Sequence, residues 1–149
     1  MTQAQALIDN GFNIDNLDSL HPDSATTRVA VLYTDEGEEK SGFIIAGKNS
    51  SMYQDAARAI RVDGLVKSSK RKTALDSSTQ EGAEAFAKLI DGNEVTLACS
   101  VVVGWFGFAS NGQVAVFNKP TAEKMLCKYP TWREKISQAL SIEENFTKG

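Results

Sequence analysis

Apolar positions spaced three and four residues apart recur four times along the chain, each time next to a helix-start signal. Ser51-Met52-Tyr53-Gln54 has the form of a capping box, in which serine and glutamine satisfy free backbone N–H groups reciprocally. Tyr53, Ala56, Ala57 and Ile60 then fall on a single helical face. Ser78-Thr79-Gln80-Glu81 is a second such box. Ala83, Phe86, Ala87 and Ile90 repeat the spacing, and Gly92 reads as the helix stop. Pro120 suits the first turn of a third helix, where its missing N–H is no loss, with Ala122, Met125, Leu126 and Tyr129 on one face. Pro130 ends that helix. Thr131-Trp132-Arg133-Glu134 opens a fourth, carrying Trp132, Ile136, Ala139 and Leu140 on one side.

Strand patterns are fewer. Residues 28–34 and 41–46 are rich in β-branched and aromatic residues and flank the turn Asp35-Glu36-Gly37-Glu38-Glu39, which predicts a hairpin. A hairpin alone is marginal in water and must pack on the helices. Asn111-Gly112 marks the turn of a small second hairpin within residues 106–117. The run from Val95 to Trp105 is ambiguous. Its β-branched content favours a strand, whereas Val95, Ala98, Val102 and Trp105 have helical spacing. Residues 1–27 have scattered apolar points (Leu7, Ile8, Phe12, Ile14, Leu17, Leu20) before the turn material His21-Pro22-Asp23-Ser24, and read as a short helix or arm. The expectation is an α+β fold: a mostly helical body of four to five helices, an N-terminal β-hairpin and a short second hairpin, in one domain over residues 28–149.

Composition agrees with a single folded domain: 149 residues, 42% hydrophobic and 23% charged. No run approaches the ~18–20 apolar residues of a membrane span, and residues 1–15 lack the basic and apolar regions of a secretory signal. Two cysteines make no disulfide framework, so a reducing compartment is expected, with Cys99 and Cys127 packed as small hydrophobes. The net charge of -3 argues against a dedicated nucleic-acid or membrane-surface binder. That charge is uneven: residues 1–49 carry -5, residues 50–72 carry +4, and the remainder -2. A dipolar molecule of this kind can guide head-to-tail contact with copies of itself.

Signals for catalysis are weak. His21, the single histidine, lies before a proline with nothing to mark it as a base for a nucleophile. No C-x-x-C, phosphate-binding glycine loop or calcium-loop spacing occurs, so neither enzyme activity, metal nor cofactor is expected. The cations Lys67, Lys70, Arg71 and Lys72 form a run with no aromatic residue to stack bases. They suit a solvated loop or an acidic protein partner better than nucleic acid.

The last 45 residues have a recognisable order. Gly104-Trp105-Phe106-Gly107 is followed by Asn111-Gly112, then Val116-Phe117, Ala122, Leu126, Tyr129-Pro130-Thr131-Trp132-Arg133 and a closing Asn145-Phe146. This arrangement resembles the tail assembly chaperone family of long-tailed bacteriophages, loosely from residue 28 and with motif-like agreement in the last third. Thr131 is a departure, since relatives tend to run Pro-Trp directly. The resemblance implies a non-catalytic morphogenesis factor that forms rings or spirals and coats the long, largely helical tape measure protein while tail tube subunits polymerise around it. It also implies a place in the host bacterial cytoplasm and absence from the mature virion. It favours a helix over residues 94–104. The tape measure protein is thus the expected partner, with the tail tube protein possible and a homo-oligomer expected, and with no nucleic acid or membrane. The alternative is a structural virion component of the tail, such as a tube or connector protein. Phe106, Phe108, Trp132 and Phe146, with the basic run, are the candidate protein-contact residues; Trp105, Gly107, Gly112, Phe117 and Pro130 are the candidate structural core.

Overall fold

Strand-forming residues pair first with their neighbours in sequence. Thr26–Tyr33 (β1) and Glu39–Ala46 (β2) form an antiparallel hairpin, with Val29 opposite Phe43 and a register shift at Ala30–Leu32. The acidic turn is closed by the Gly37 N–H donating to the Thr34 carbonyl at 2.9 Å, and Gly37 has φ +84°, which glycine adopts without steric cost. Val102–Phe106 (β3) adds to the other edge of β2, antiparallel, with Trp105 opposite Phe43. The sheet order is therefore β1-β2-β3. These features belong to a computed structural model that describes residues 11, 13–70 and 78–147.

Five helices are present among the described residues: Ser51–Lys70 (α1), Gln80–Val101 (α2), Lys119–Lys128 (α3), Pro130–Leu140 (α4) and Glu144–Thr147 (α5). A 3₁₀ segment, Ile14–Ser19, precedes β1, and Ala109–Ser110 (β4) with Gln113–Val114 (β5) makes a two-stranded hairpin. The fold is α+β, with four substantial helices, the N-terminal hairpin within a three-stranded sheet, and the short second hairpin.

One apolar core joins sheet and helices. Val29, Val31, Phe43 and Ile45 come from the strands, Ala98, Cys99 and Val101 from the end of α2, Ala122 and Leu126 from α3, and Ile136 and Leu140 from α4. Fully burying a side chain such as Phe43, Leu126 or Ile136 contributes about 1.5–3 kcal/mol each. The α3 and α4 residues fall on the faces their spacing predicts.

Several expectations need correction. Gly92 does not stop its helix: α2 continues to Val101. An interior glycine costs about 1 kcal/mol, and burial of Ala98, Cys99 and Val101 beyond it outweighs that cost. Residues 94–104 are not one helix. The chain leaves the helix after Val101 because β2 has an open edge for Val102–Phe106 to fill. The second hairpin is confined to residues 109–114, although Asn111 (φ +53°) and Gly112 (φ +77°) form its turn as expected. Neither capping box forms as read. Ser50, not Ser51, caps α1, its hydroxyl accepting from the Tyr53 N–H at 3.3 Å. Thr79, not Ser78, caps α2, accepting from the Gly82 N–H at 3.0 Å. Cys127 is exposed, so only Cys99 packs as a hydrophobe. Leu7, Ile8 and Phe12 lie outside the described residues.

Candidate functional site

The residues of the C-terminal motif converge on a single aromatic cluster. Trp105 meets Phe108 edge-on at 5.4 Å and Phe117 at 5.2 Å between ring centroids, and its indole N–H donates to the Ala115 carbonyl at 2.9 Å. Phe108 and Trp132 lie 5.6 and 6.0 Å from Phe43 in the core. Gly107 is fixed by geometry: its φ is +75°, and a Cβ there would stand 1.9 Å from the Lys40 carbonyl oxygen. Its own carbonyl accepts from the buried Ser41 hydroxyl at 2.8 Å. Phe146 presses onto Gly47, and Asn145 donates to the Ala139 carbonyl at 3.1 Å, so the closing Asn-Phe ties α5 to α4 and to the turn after β2.

The Tyr129-Pro130-Thr131-Trp132-Arg133 break has its own logic. Pro130 opens α4 but has no N–H to give the Leu126 carbonyl four residues earlier. The Arg133 guanidinium supplies that donor, at 2.7 Å from Leu126 O and 3.4 Å from Cys127 O. A cation at the carbonyl end of α3 also complements its dipole. Arg133 is buried, and its Nε, 4.0 Å from a Glu94 carboxylate oxygen, makes no hydrogen bond. Tyr129 stacks on Trp132 at 4.2 Å over the same break.

The expected contact aromatics are thus engaged with their own chain. Phe108, Trp132 and Phe146 pack on the core, and the Phe106 ring is covered by the Arg28 guanidinium at 4.0 Å. Gly112 and Pro130 are structural without being interior: both are exposed, one in a turn and one at a helix start. Of the basic run, Lys67 pairs with Asp63 at 3.0 Å on α1; Lys70 is the last residue of that helix, and Arg71 and Lys72 lie outside the described residues.

Exposed apolar side chains lie elsewhere: at the second hairpin (Val114, Val116), in the 3₁₀ segment (Ile14, Leu17) and along the long helix pair. On α2, Ala83, Phe86, Ala87 and Ile90 keep their single-face spacing and are all exposed, Phe86 at 46% and Ile90 at 51%. The row continues to Leu97, where an open groove of about 370 Å³ is lined by Tyr53, Ile90, Leu97 and Leu140. From Ala83 to Leu97 this stripe is about 21 Å long at 1.5 Å per residue. On α1, Val62, Leu65 and Val66 form a second exposed row. The spacing that identified the α2 face was legible in the sequence. Its exposure was not, because periodicity reports a face and not what covers it.

Groups with chemical potential are dispersed. His21 is exposed in a turn, its carbonyl accepting from the Ser24 and Ala25 N–H groups. Asp23 accepts from the Ser51 N–H at 2.6 Å and the Ser51 hydroxyl at 2.8 Å, and these bonds hold its carboxyl below the usual carboxylate range. Burial, followed by the Glu123 charge, pushes the Cys99 thiol up to about 11. A thiol held protonated in this way is a poor nucleophile. No helix among the described residues is long and apolar enough to cross a membrane.

Comparison with protein family models, curated proteins and solved structures finds no match to this chain.

Proposed function

We infer that this chain is a tail assembly chaperone of a long-tailed phage or prophage, which associates with copies of itself and binds the tape measure protein in the host cytoplasm. The observation that carries this reading is the half-exposed apolar stripe of α2, of helical spacing on a helix of 22 residues. Such a stripe suits an amphipathic helix laid alongside it, the form a long helical client offers. Many shallow contacts of this kind sum through multivalency and remain individually weak, so a growing tube can displace them. The order of the C-terminal motif supports the same reading. Its residues build the scaffold from which the helix pair projects, while the client surface is on α2.

Co-expression with the tape measure protein of the same genome tests the proposal. The client is expected in the soluble fraction with the native chain, and to be lost from it with Phe86→Asp/Ile90→Asp, a variant whose fold is checked by far-UV circular dichroism. Equal client solubility with and without the chain overturns the reading.

A further inference from the structure

A second surface on the molecule has a counterpart elsewhere in the same chain. The 3₁₀ segment Ile14–Ser19 is kinked at Asn16 and passes into extended backbone at Leu20, and it interleaves the apolar residues Ile14, Leu17 and Leu20 with the acids Asp15 and Asp18. The apolar residues are strongly exposed: Ile14 at 79%, Leu17 at 62% and Leu20 at 54%. On α1, Arg58, Arg61, Val62, Leu65 and Val66 fall on a single face by their i, i+3, i+4, i+7, i+8 spacing, and Leu65 is 72% exposed. One surface is apolar with acidic residues and the other apolar with basic residues, so their charges are complementary. Arg58 makes a surface pair with Asp55 at 3.6 Å, the kind that exchanges readily. The α2 stripe suits the acidic segment less well, because Glu81, Glu84, Asp91 and Glu94 outnumber Lys88 on that helix.

The two surfaces do not cover each other in this fold: Ile14, Leu17, Leu20 and Leu65 are all exposed. Asp23 is pinned to the first residue of α1 by its bonds to Ser51. Leu65 lies 14 residues further along, about 21 Å away at the helical rise. We propose that the Ile14–Leu20 segment of one copy docks on the Arg58–Val66 face of the next. The contact joins two different patches, so it propagates head to tail, closing into a ring or running on as an open array according to the rotation between copies. Its few side chains place it in the weak, transient class of interfaces. The proposal refines the self-association in the proposed function, and leaves the α2 stripe free for the client.

Sedimentation velocity with complementary variants tests it. Leu17→Asp spoils the segment and Leu65→Asp spoils the face; both positions are exposed, and far-UV circular dichroism checks that each variant is folded. Each alone is expected to sediment as a monomer at concentrations where the native chain associates, with a dissociation constant at least about tenfold weaker. Mixed in equal amounts, they form a dimer that does not grow, because one sound segment meets one sound face. Charge reversal at Asp15 and Asp18 weakens the native assembly in the same way, and reversal of Arg58 and Arg61 in the same chain restores it. A mixture that stays monomeric, or variants that associate like the native chain, overturns the head-to-tail contact. Client solubilisation is measured in parallel with Leu65→Asp. Loss of the client with self-association intact assigns the α1 face to the client and also overturns this proposal, while leaving the chaperone reading in place.

Discussion

Replacing Arg133 by alanine removes the donor that stands in for the missing N–H of Pro130. The Leu126 carbonyl, 2.7 Å from the guanidinium, is then left without its partner at the end of α3, and the aliphatic stem between α3 and α4 is lost as well. A hydrogen bond from a charged donor is worth about 1.5–3 kcal/mol, and the favourable placement at a helix C-terminus adds up to a further ~1 kcal/mol. The expected destabilisation is about 2–4 kcal/mol, or a fall in Tm of roughly 5–12 °C for a domain of this size. The ion pair is not the source. Glu94 is 4.0 Å from Nε and partly exposed, so Glu94→Gln is expected to cost less than about 1 kcal/mol. Arg133→Met keeps the stem and removes the buried Nε that has no partner, and falls between the two. Urea and thermal denaturation followed by circular dichroism rank the three. A Glu94→Gln effect as large as that of Arg133→Ala, or an Arg133→Ala shift under 1 °C, refutes the capping argument.

Other consequences are open to the same kind of measurement. Gly107→Ala forces a Cβ to within 1.9 Å of a backbone oxygen at φ +75°, and is expected to cost more than the ~1 kcal/mol of the left-handed conformation alone; a neutral Tm contradicts the tight packing of that turn. Native protein at pH 8 should show one fast thiol with a disulfide reagent, Cys127, while Cys99 reacts only after unfolding; two equally fast thiols contradict its burial and raised pKa. The Asp23 carboxyl has a lowered folded pKa, so its bonds to Ser51 stabilise the fold above the unfolded carboxylate range near pH 4 and are lost as pH falls through the folded value. Asp23→Asn should therefore flatten the acid limb of the stability profile, and an unchanged limb counts against that anchor.

The hairpin, the two C-terminal helices and their inward faces were legible because each rests on local chemistry: β-branched runs around a glycine turn, and prolines placed where a helix can begin. The boundaries that failed were decided at long range. Gly92 is a helix breaker by propensity, yet residues 98–101 bury enough apolar surface to carry α2 past it. Val102–Phe106 becomes a strand because β2 offers an edge 60 residues earlier in the chain, which no window over residues 95–105 contains. Ser50 and Ser51 compete for one cap, and Asp23 resolves the competition by binding Ser51. The candidate site divides in the same way. The aromatics of the C-terminal third were chosen for their type, but type does not separate a ring packed on Phe43 from one facing solvent. Spacing likewise places Phe86 and Ile90 on one apolar face without saying how much of it is covered.

On this reading the molecule lends apolar helical surface to another polypeptide. Diluting purified tape measure protein from the same genome out of denaturant, with increasing amounts of the chain, and measuring the fraction left in the supernatant after centrifugation tests it most directly. The soluble fraction is expected to rise with the chain and saturate, and Phe86→Asp/Ile90→Asp is expected to abolish the rise. A soluble fraction that stays flat at every ratio contradicts it.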